Sequence, residues 1–535
     1  MNTEKRTWIG THGQSSRLVV RDSCSGPDRR RLWALLALSL LLPAAPEAQE
    51  RPLPEGLSLT EAVRLTLQHD PNLRLEEARL RSAHGVLLSA RGSFDPVVSS
   101  SMTETETNVP VSATASETEA VLGNTFGIEK RFRSGLSVEP ELELLRTDPS
   151  GAGAVNLGTL SFTIRQPLLR GRGWRATAAP ERSAEREVAA SELDVRQVTT
   201  ERVLAVGSLY WRARAAALNV GILRETEDRA RELLETTRKL IEADVTPAAE
   251  LVQVEANLVS KEASRIGGEQ ALFAARQDLG REIGLERAAI AALPLPSDPF
   301  PALPPAAVPS AADWERFVTA ALERRADLLA ARERRDASEI LRRAADNGLR
   351  PQLDLVLTPS YTGLVEGTDP GSFFSPLYRN VPGASAAFSL TLGWPTANSR
   401  ARGELAQLEA SREQSILLED LVARRVAADV PTALDAVSRS AQQLDRATVA
   451  VRLFERTVVN EEKKLRAGTS TLIDVISQRD RLTAARQSEV SAQLSLAVAL
   501  LELRFETGTI LPESEVAGAV DPALFTTVPF QEGAP

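Results

Sequence analysis

The chain has 535 residues, of which 43% are hydrophobic, 25% charged and 4% aromatic, with 31 glycines, 31 prolines, three histidines and one cysteine. That length exceeds one ordinary domain; a mean hydropathy of −0.16 excludes a bundle of membrane-spanning helices, and the apolar content excludes general disorder. A net charge of −9 argues against nucleic acid as a partner.

At the start, Arg29-Arg30-Arg31, the apolar run Leu32 to Leu42 and the small-residue stretch Pro43 to Ala48 have the three parts of a secretory signal, so residues 1–48 are expected to be removed on export. The apolar run is 11 residues long, short of the roughly 20 that a spanning helix needs. Cleavage removes seven basic and four acidic residues and leaves a net charge of −12. Cys24 precedes the apolar run, so it cannot be the lipid-bearing first residue of a mature lipoprotein. The exported chain is then cysteine-free and rests on packing, not disulfides.

Next comes an internal duplication. Thr66 to Leu73 matches Ala321 to Leu328 at an offset of 255, which also carries Pro96 onto Pro351. Phe162 to Pro167 matches Leu390 to Pro395 at an offset of 228, so the first half holds 27 extra residues between these landmarks. Asp244 and Glu250 pair in the same way with Gly468 and Asp474. The first repeat is read as residues 49–292, with strands over about 97–166 and long helices at 172–243 and 247–292. The second is read as 314–510, with strands over about 352–394 and long helices at 398–467 and 471–507, followed by a tail at 511–535. Between them, the proline-rich stretch 293–313 is expected to be an extended connector that wraps a surface without entering a core.

The long helices carry coiled-coil seams. Val430, Val437, Leu444, Val451 and Val458 recur every seven residues, and Val206, Leu209, Ala213, Ala216, Val220 and Leu223 alternate steps of three and four. A second line on the same helix, Leu204, Trp211 and Leu218, predicts that it packs between two neighbours. At 1.5 Å per residue, the uninterrupted pattern from Arg172 to Ala243 spans about 100 Å. Gly171-Arg172-Gly173 reads as a strand-to-helix junction, since it lacks the Lys-Ser/Thr pair of a phosphate loop. Pro431 predicts a kink or local stutter.

The remaining segments alternate with a period of two: Phe126, Ile128, Lys130 and Phe132; Leu160, Phe162 and Ile164; Leu353, Leu355 and Leu357; Phe388, Leu390, Leu392 and Trp394. Such stretches in an exported chain predict an outer-membrane barrel. The extra residues read as an added hairpin, Leu122 to Phe132 and Leu136 to Leu144, around the tight turn Arg133-Ser134-Gly135. This counts four strands in the first half and two in the second, too few to close alone. An open edge in lipid leaves backbone groups unpaired, so oligomerisation is required.

Leu59-Thr60-Glu61-Ala62 with Asp70-Pro71-Asn72-Leu73, Gln166-Pro167-Leu168, and Ala467-Gly468-Thr469-Ser470-Thr471-Leu472-Ile473-Asp474-Val475 resemble, in order and spacing, the outer membrane efflux protein (TolC) family over the whole mature chain. The resemblance implies an α+β membrane protein, a homotrimer whose outer-membrane β-barrel continues into a long periplasmic α-helical barrel. It implies an exit duct of a tripartite efflux pump or type I secretion system, carrying small molecules or polypeptides. It implies partners as well, a periplasmic adaptor (membrane fusion protein) and an inner-membrane transporter that dock at the helical tips. It implies neither catalysis nor a cofactor. Asp474 matches an aperture aspartate of the family; the second aperture aspartate falls on Ser477, and the tyrosine and arginine of its closing network fall on Leu465 and Ser470. By the duplication, Glu250 takes the corresponding place in the first half, so a trimer would bring three Glu250 and three Asp474 near one periplasmic aperture, with Gly468 in the turn before Asp474.

Two other readings compete: a periplasmic adaptor and a poreless envelope coiled coil. Adaptors usually carry one helical hairpin, and a coiled coil leaves the alternating strands without purpose. An enzyme has little support, since the mature histidines are only His69 and His84 and neither a zinc-spaced cluster nor a nucleophile motif is present.

Overall fold

The computed structural model describes residues 56–149, 153–243, 247–303, 313–378, 383–511 and 522–530. The expected export signal with Cys24, Asp244, and residues 304–312 of the connector lie outside the described residues.

Two helices, α1 (Leu59–His69) and α2 (Pro71–Gly92), lead into the strands β1 (Val97–Ser112), β2 (Ala115–Arg131), β3 (Ser137–Pro149) and β4 (Val155–Pro167). A single turn, α3 (Trp174–Thr177), precedes the long α4 (Ala179–Glu242), then α5 (Ala249–Ile283) and the short α6 (Arg287–Ala292). The second half follows with α7 (Trp314–Arg324), α8 (Ala326–Gly348), β5 (Gln352–Glu366), α9 (Pro370–Phe374), β6 (Ala384–Gly393), α10 (Ser399–Arg466) and α11 (Leu472–Glu506). The repetition reaches the backbone angles. Asp70 turns the chain from α1 into α2 at φ −61°, ψ 120°, and Arg325 turns it from α7 into α8 at φ −63°, ψ 120°.

Several boundaries differ from the sequence expectation. The helix expected over 172–243 starts at Ala179, because Gly171 and Gly173 sit at φ +78° and +84° and α3 is only one turn long. Pro180 then occupies the first turn of α4, where a missing N–H costs nothing. The helix expected over 247–292 divides at Gly284, which ends α5 at φ +83°. Pro431 remains inside α10, which runs through it for 68 residues, about 100 Å.

The connector departs most. Leu293 is buried, and the Phe300 ring stacks on Trp211 with centroids 5.2 Å apart. The Leu57 amide donates to the Leu295 carbonyl and the Ser297 amide to the Leu57 carbonyl, each at 3.0 Å. The Leu59 amide donates to the Asp298 carboxylate at 2.7 Å, so the connector also helps to start α1. Prolines hold this stretch extended, but the residues between them still project inward; an extended chain can line a core where its polar backbone finds partners. The predicted second flank of α4 is thus covered partly by the connector.

The core has two main clusters. One gathers Leu57, Val63, Val206, Tyr210, Trp211, Ile283, Leu501 and Phe525; the other Phe317, Val430, Leu434, Val437, Leu496, Leu500 and Val528. The expected seams supply Val206, Ala213, Val220, Val430, Val437, Val451 and Val458 as buried residues. Phe525 and Val528 come from the tail, which the buried Arg504 guanidinium holds by donating to the Thr527 carbonyl at 2.8 Å.

The six strands form one antiparallel meander in the order β1-β2-β3-β4-β5-β6. Its tight turn closes with the Phe132 amide donating to the Leu136 carbonyl at 2.8 Å. Register sorts the two faces. Phe126, Leu142, Leu160 and Tyr361 lie in one cross-strand row, and Val138, Ile164, Leu357 and Phe388 in another. The opposite face carries Glu139 beside Thr163, Glu141 beside Ser161 and Ser360, and Glu143 beside Thr159 and Thr362.

Trp211 is the keystone among α4, the connector and Tyr210. Replacing Trp211 with Ala is expected to destabilise this region by about 3–5 kcal/mol, read as a lower urea midpoint in detergent-solubilised protein. An unchanged midpoint contradicts that role.

Candidate functional site

The turn between α10 and α11 is built by local chemistry. Gly468 ends α10 at φ +73°, a left-handed conformation that a side chain disfavours. The Gly468 amide donates to the Leu465 carbonyl and the Thr469 amide to the Lys464 carbonyl, each at 3.0 Å, which satisfies the last carbonyls of the helix. Thr471 then caps α11. The Asp474 amide donates to the Thr471 hydroxyl at 3.3 Å, and the Asp474 carboxylate accepts from the Thr471 amide at 3.1 Å and its hydroxyl at 2.6 Å.

The Ser470 hydroxyl lies 3.4 Å from the Asp474 carboxylate and donates to Glu461 at 2.5 Å, while Lys464 pairs with Glu461 at 3.0 Å. Asp474 is exposed, and its carboxyl is held below its ordinary 3.8 by the Thr471 hydroxyl first, then by the Thr471 amide. Glu461 is likewise held low, first by Ser470 and then by Lys464. Ser477 follows one helical turn later and is half-buried.

In the first half, Glu250 lies in the first turn of α5, half-buried, with its amide donating to the Pro247 carbonyl at 3.1 Å. Residues 244–246 lie outside the described residues. Among the described residues no hydrogen bond or ion pair joins Glu250 to Asp474. Within one chain the two carboxylates occupy separate helical turns.

The sequence reading missed the ties between the two helical hairpins. Lys261 of α5 pairs with Asp480 of α11 at 2.5 Å. Arg486 of α11 bridges Glu225 of α4 and Glu455 of α10, each at 3.0 Å. Arg479 pairs with Glu462 across the α10–α11 hairpin at 2.6 Å. One signal was available: Arg479 and Arg486 stand seven residues apart on α11, the spacing of a single helix face.

The sheet gives the second part of the site. One face stacks Glu139, Glu141 and Glu143 along β3, while the other carries the apolar rows through Leu142 and Ile164. Among the described residues no helix is long and apolar enough to cross a membrane.

Residues 317–509 match the model of the outer membrane efflux protein family. Solved structures share the fold across nearly the whole chain. The outer-membrane channel OprN aligns at 17% identity and TM-score 0.61, covering 84% of this chain and 90% of that one. The Campylobacter jejuni outer membrane channel CmeC aligns at 15% identity and TM-score 0.63, covering 85% and 87%. The outer membrane protein VceC from Vibrio cholerae aligns at 18% identity and TM-score 0.60, covering 84% and 96%. No curated protein matches by sequence.

The second half of the chain thus matches the outer membrane efflux protein family, and the whole described chain shares the fold of solved outer-membrane channels. That family is a transport duct, with its barrel in the outer membrane and its helices extending into the periplasm.

The cap at Asp474 sets a pH dependence. A depressed carboxyl pKa stabilises the fold above the unfolded value of 3.8, and that contribution is lost as pH falls through the folded pKa. Hydrogen exchange at the Asp474 amide is therefore expected to show a loss of protection under acid that a Thr471→Ala variant already shows at neutral pH. Equal protection in the two proteins at neutral pH contradicts the capping role.

Proposed function

We propose that this chain is the outer-membrane exit duct of an efflux pump, a passive conduit whose chemistry is lumen shape and charge. The observation that carries the proposal is the open six-stranded sheet, with apolar cross-strand rows on one face and a glutamate row on the other, and with β1 and β6 as its two edges. Hydrocarbon provides no partner for the backbone groups of those edges. Three copies meeting edge to edge would remove them and close eighteen strands, a size that leaves an aqueous channel. The glutamates of β3 would then face that channel.

The helices support the same assembly. On α5, Val252, Val259, Ile266 and Phe273 recur every seven residues and are all more than half exposed. On α10, Leu417 and Leu421 are exposed as well. A heptad line left in water within one chain is the seam that a neighbouring copy covers. A periplasmic adaptor and an inner-membrane transporter would complete the pump, with the α4–α5 and α10–α11 turns as their docking end. Around the threefold axis, Asp474 and Glu250 would each occur three times near the aperture, with Ser477 one turn beyond and Gly468 shaping the turn.

Purified protein in planar bilayers is expected to conduct as a trimer, and Ile266→Lys is expected to lower the trimer fraction in native mass spectrometry. A poreless single copy in detergent overturns the assembly. Asp474→Ala is expected to alter single-channel conductance or its block by divalent cations; traces identical to those of the parent remove Asp474 from the aperture.

A further inference from the structure

The sheet face that carries Leu142, Leu160 and Tyr361 has a notch without side chains. Gly158 and Gly363 face each other across β4 and β5, in the position beyond the Leu160–Tyr361 pair and beside Leu144. The β5–β6 connection folds back into this notch. A Cβ on Gly363 would lie 2.0 Å from the Pro376 carbonyl oxygen, and one on Gly158 would lie 3.0 Å from Pro376 and 3.3 Å from Leu144. Only glycine at these positions lets a backbone approach so closely.

Polar ties fix the fold-back on that same face. The Asn156 side-chain amide donates to the Val365 and Gly367 carbonyls at 3.2 and 2.9 Å, and Arg146 donates to the Thr368 carbonyl at 3.0 Å. The Ser372 hydroxyl lies 2.9 Å from the Gly367 carbonyl and 2.6 Å from that of Asp369. Phe373 and Ser375 are buried against the sheet, yet Phe374, Leu377 and Tyr378 stand 53%, 42% and 71% exposed.

The level of this segment identifies what meets it. All strand ends that lead into helices lie at one end of the sheet, and the β5–β6 connection lies at the other. From Pro167 at the helical end, Gly158 is the tenth residue along β4, and a tilted strand crosses the bilayer in about 9–11. The segment therefore sits where the apolar band meets the external surface, and Phe374, Leu377 and Tyr378 continue that band. Aromatic side chains with one apolar and one wet end favour this depth.

We propose that residues 370–378 form an interfacial anchor that seats the outer rim of the duct in the outer leaflet of the membrane, its position set by the glycine notch. This rests on the barrel reading above. The test uses full-length protein with Cys24→Ser and single cysteines at Leu160, Ser161, Phe374 or Leu377, each carrying a fluorophore, in vesicles of acyl-brominated phosphatidylcholine. The expected result is lipid quenching at Phe374 and Leu377 comparable to that at Leu160, with Ser161 quenched only by aqueous iodide. Adding Gly363→Val, which displaces Pro376, is expected to abolish lipid quenching at Leu377 and leave Leu160 unchanged. Iodide quenching alone at Leu377 overturns the anchor, as does a label there shielded from both quenchers by a neighbouring copy. Lipid quenching lost at Leu160 as well would fault the barrel itself.

Discussion

Backbone hydrogen bonding in a medium without water is the constraint on which the rest of this architecture depends. Six strands present an apolar face suited to lipid and a polar face suited to water, but the meander ends in two edges. Each edge carries N–H and C=O groups whose burial in hydrocarbon costs several kcal/mol apiece. On the proposed reading the sheet is a sector of a barrel whose edges neighbouring copies would cover.

The helical part meets a related demand in water. Helices of 64 and 68 residues cannot each bury all of their apolar surface within one chain. One stretch of each is packed by α1, α7, the connector and the tail, which contribute to the two core clusters. Away from that region the hairpins are joined by charged pairs such as Lys261–Asp480 and Arg486–Glu225. Such half-exposed pairs contribute little stability individually, so they set register while valine and leucine seams supply the free energy. The buried Glu227 is the exception in kind: its carboxylate meets Arg265 at 2.5 Å and also pairs with Arg231, so an otherwise costly buried charge is doubly satisfied.

Chemistry at the proposed aperture is correspondingly local. Asp474 is already engaged by Thr471 and Ser470, so its charge is fixed to the helix start. The resemblance puts Leu465 and Ser470 where the family's closing network has tyrosine and arginine, and here Ser470 bonds to Glu461 beside its own turn. In this chain, the ties between hairpins run instead through lysine and arginine farther along the helices.

Periodic features were legible in the sequence because they depend only on spacing: heptads on α4 and α10, the period-two strands, the added hairpin, the duplication, and the glycine at 468 that a helix–turn–helix needs. Aperiodic contacts were not. Nothing in a proline-rich stretch announces that Phe300 will stack on Trp211, and nothing in the tail announces that Phe525 and Val528 will enter two cores. The fold-back of Pro376 onto Gly158 and Gly363 joins positions 218 residues apart in one case and 13 apart in the other, with no shared pattern. The amino-acid order by itself determined the elements, their faces and the incompleteness of the sheet, since these follow from local geometry and the alternation of apolar and polar residues. Only the tertiary structure decided which surfaces meet, because long-range pairing depends on shape and on satisfying backbone groups, and neither is written in a local period.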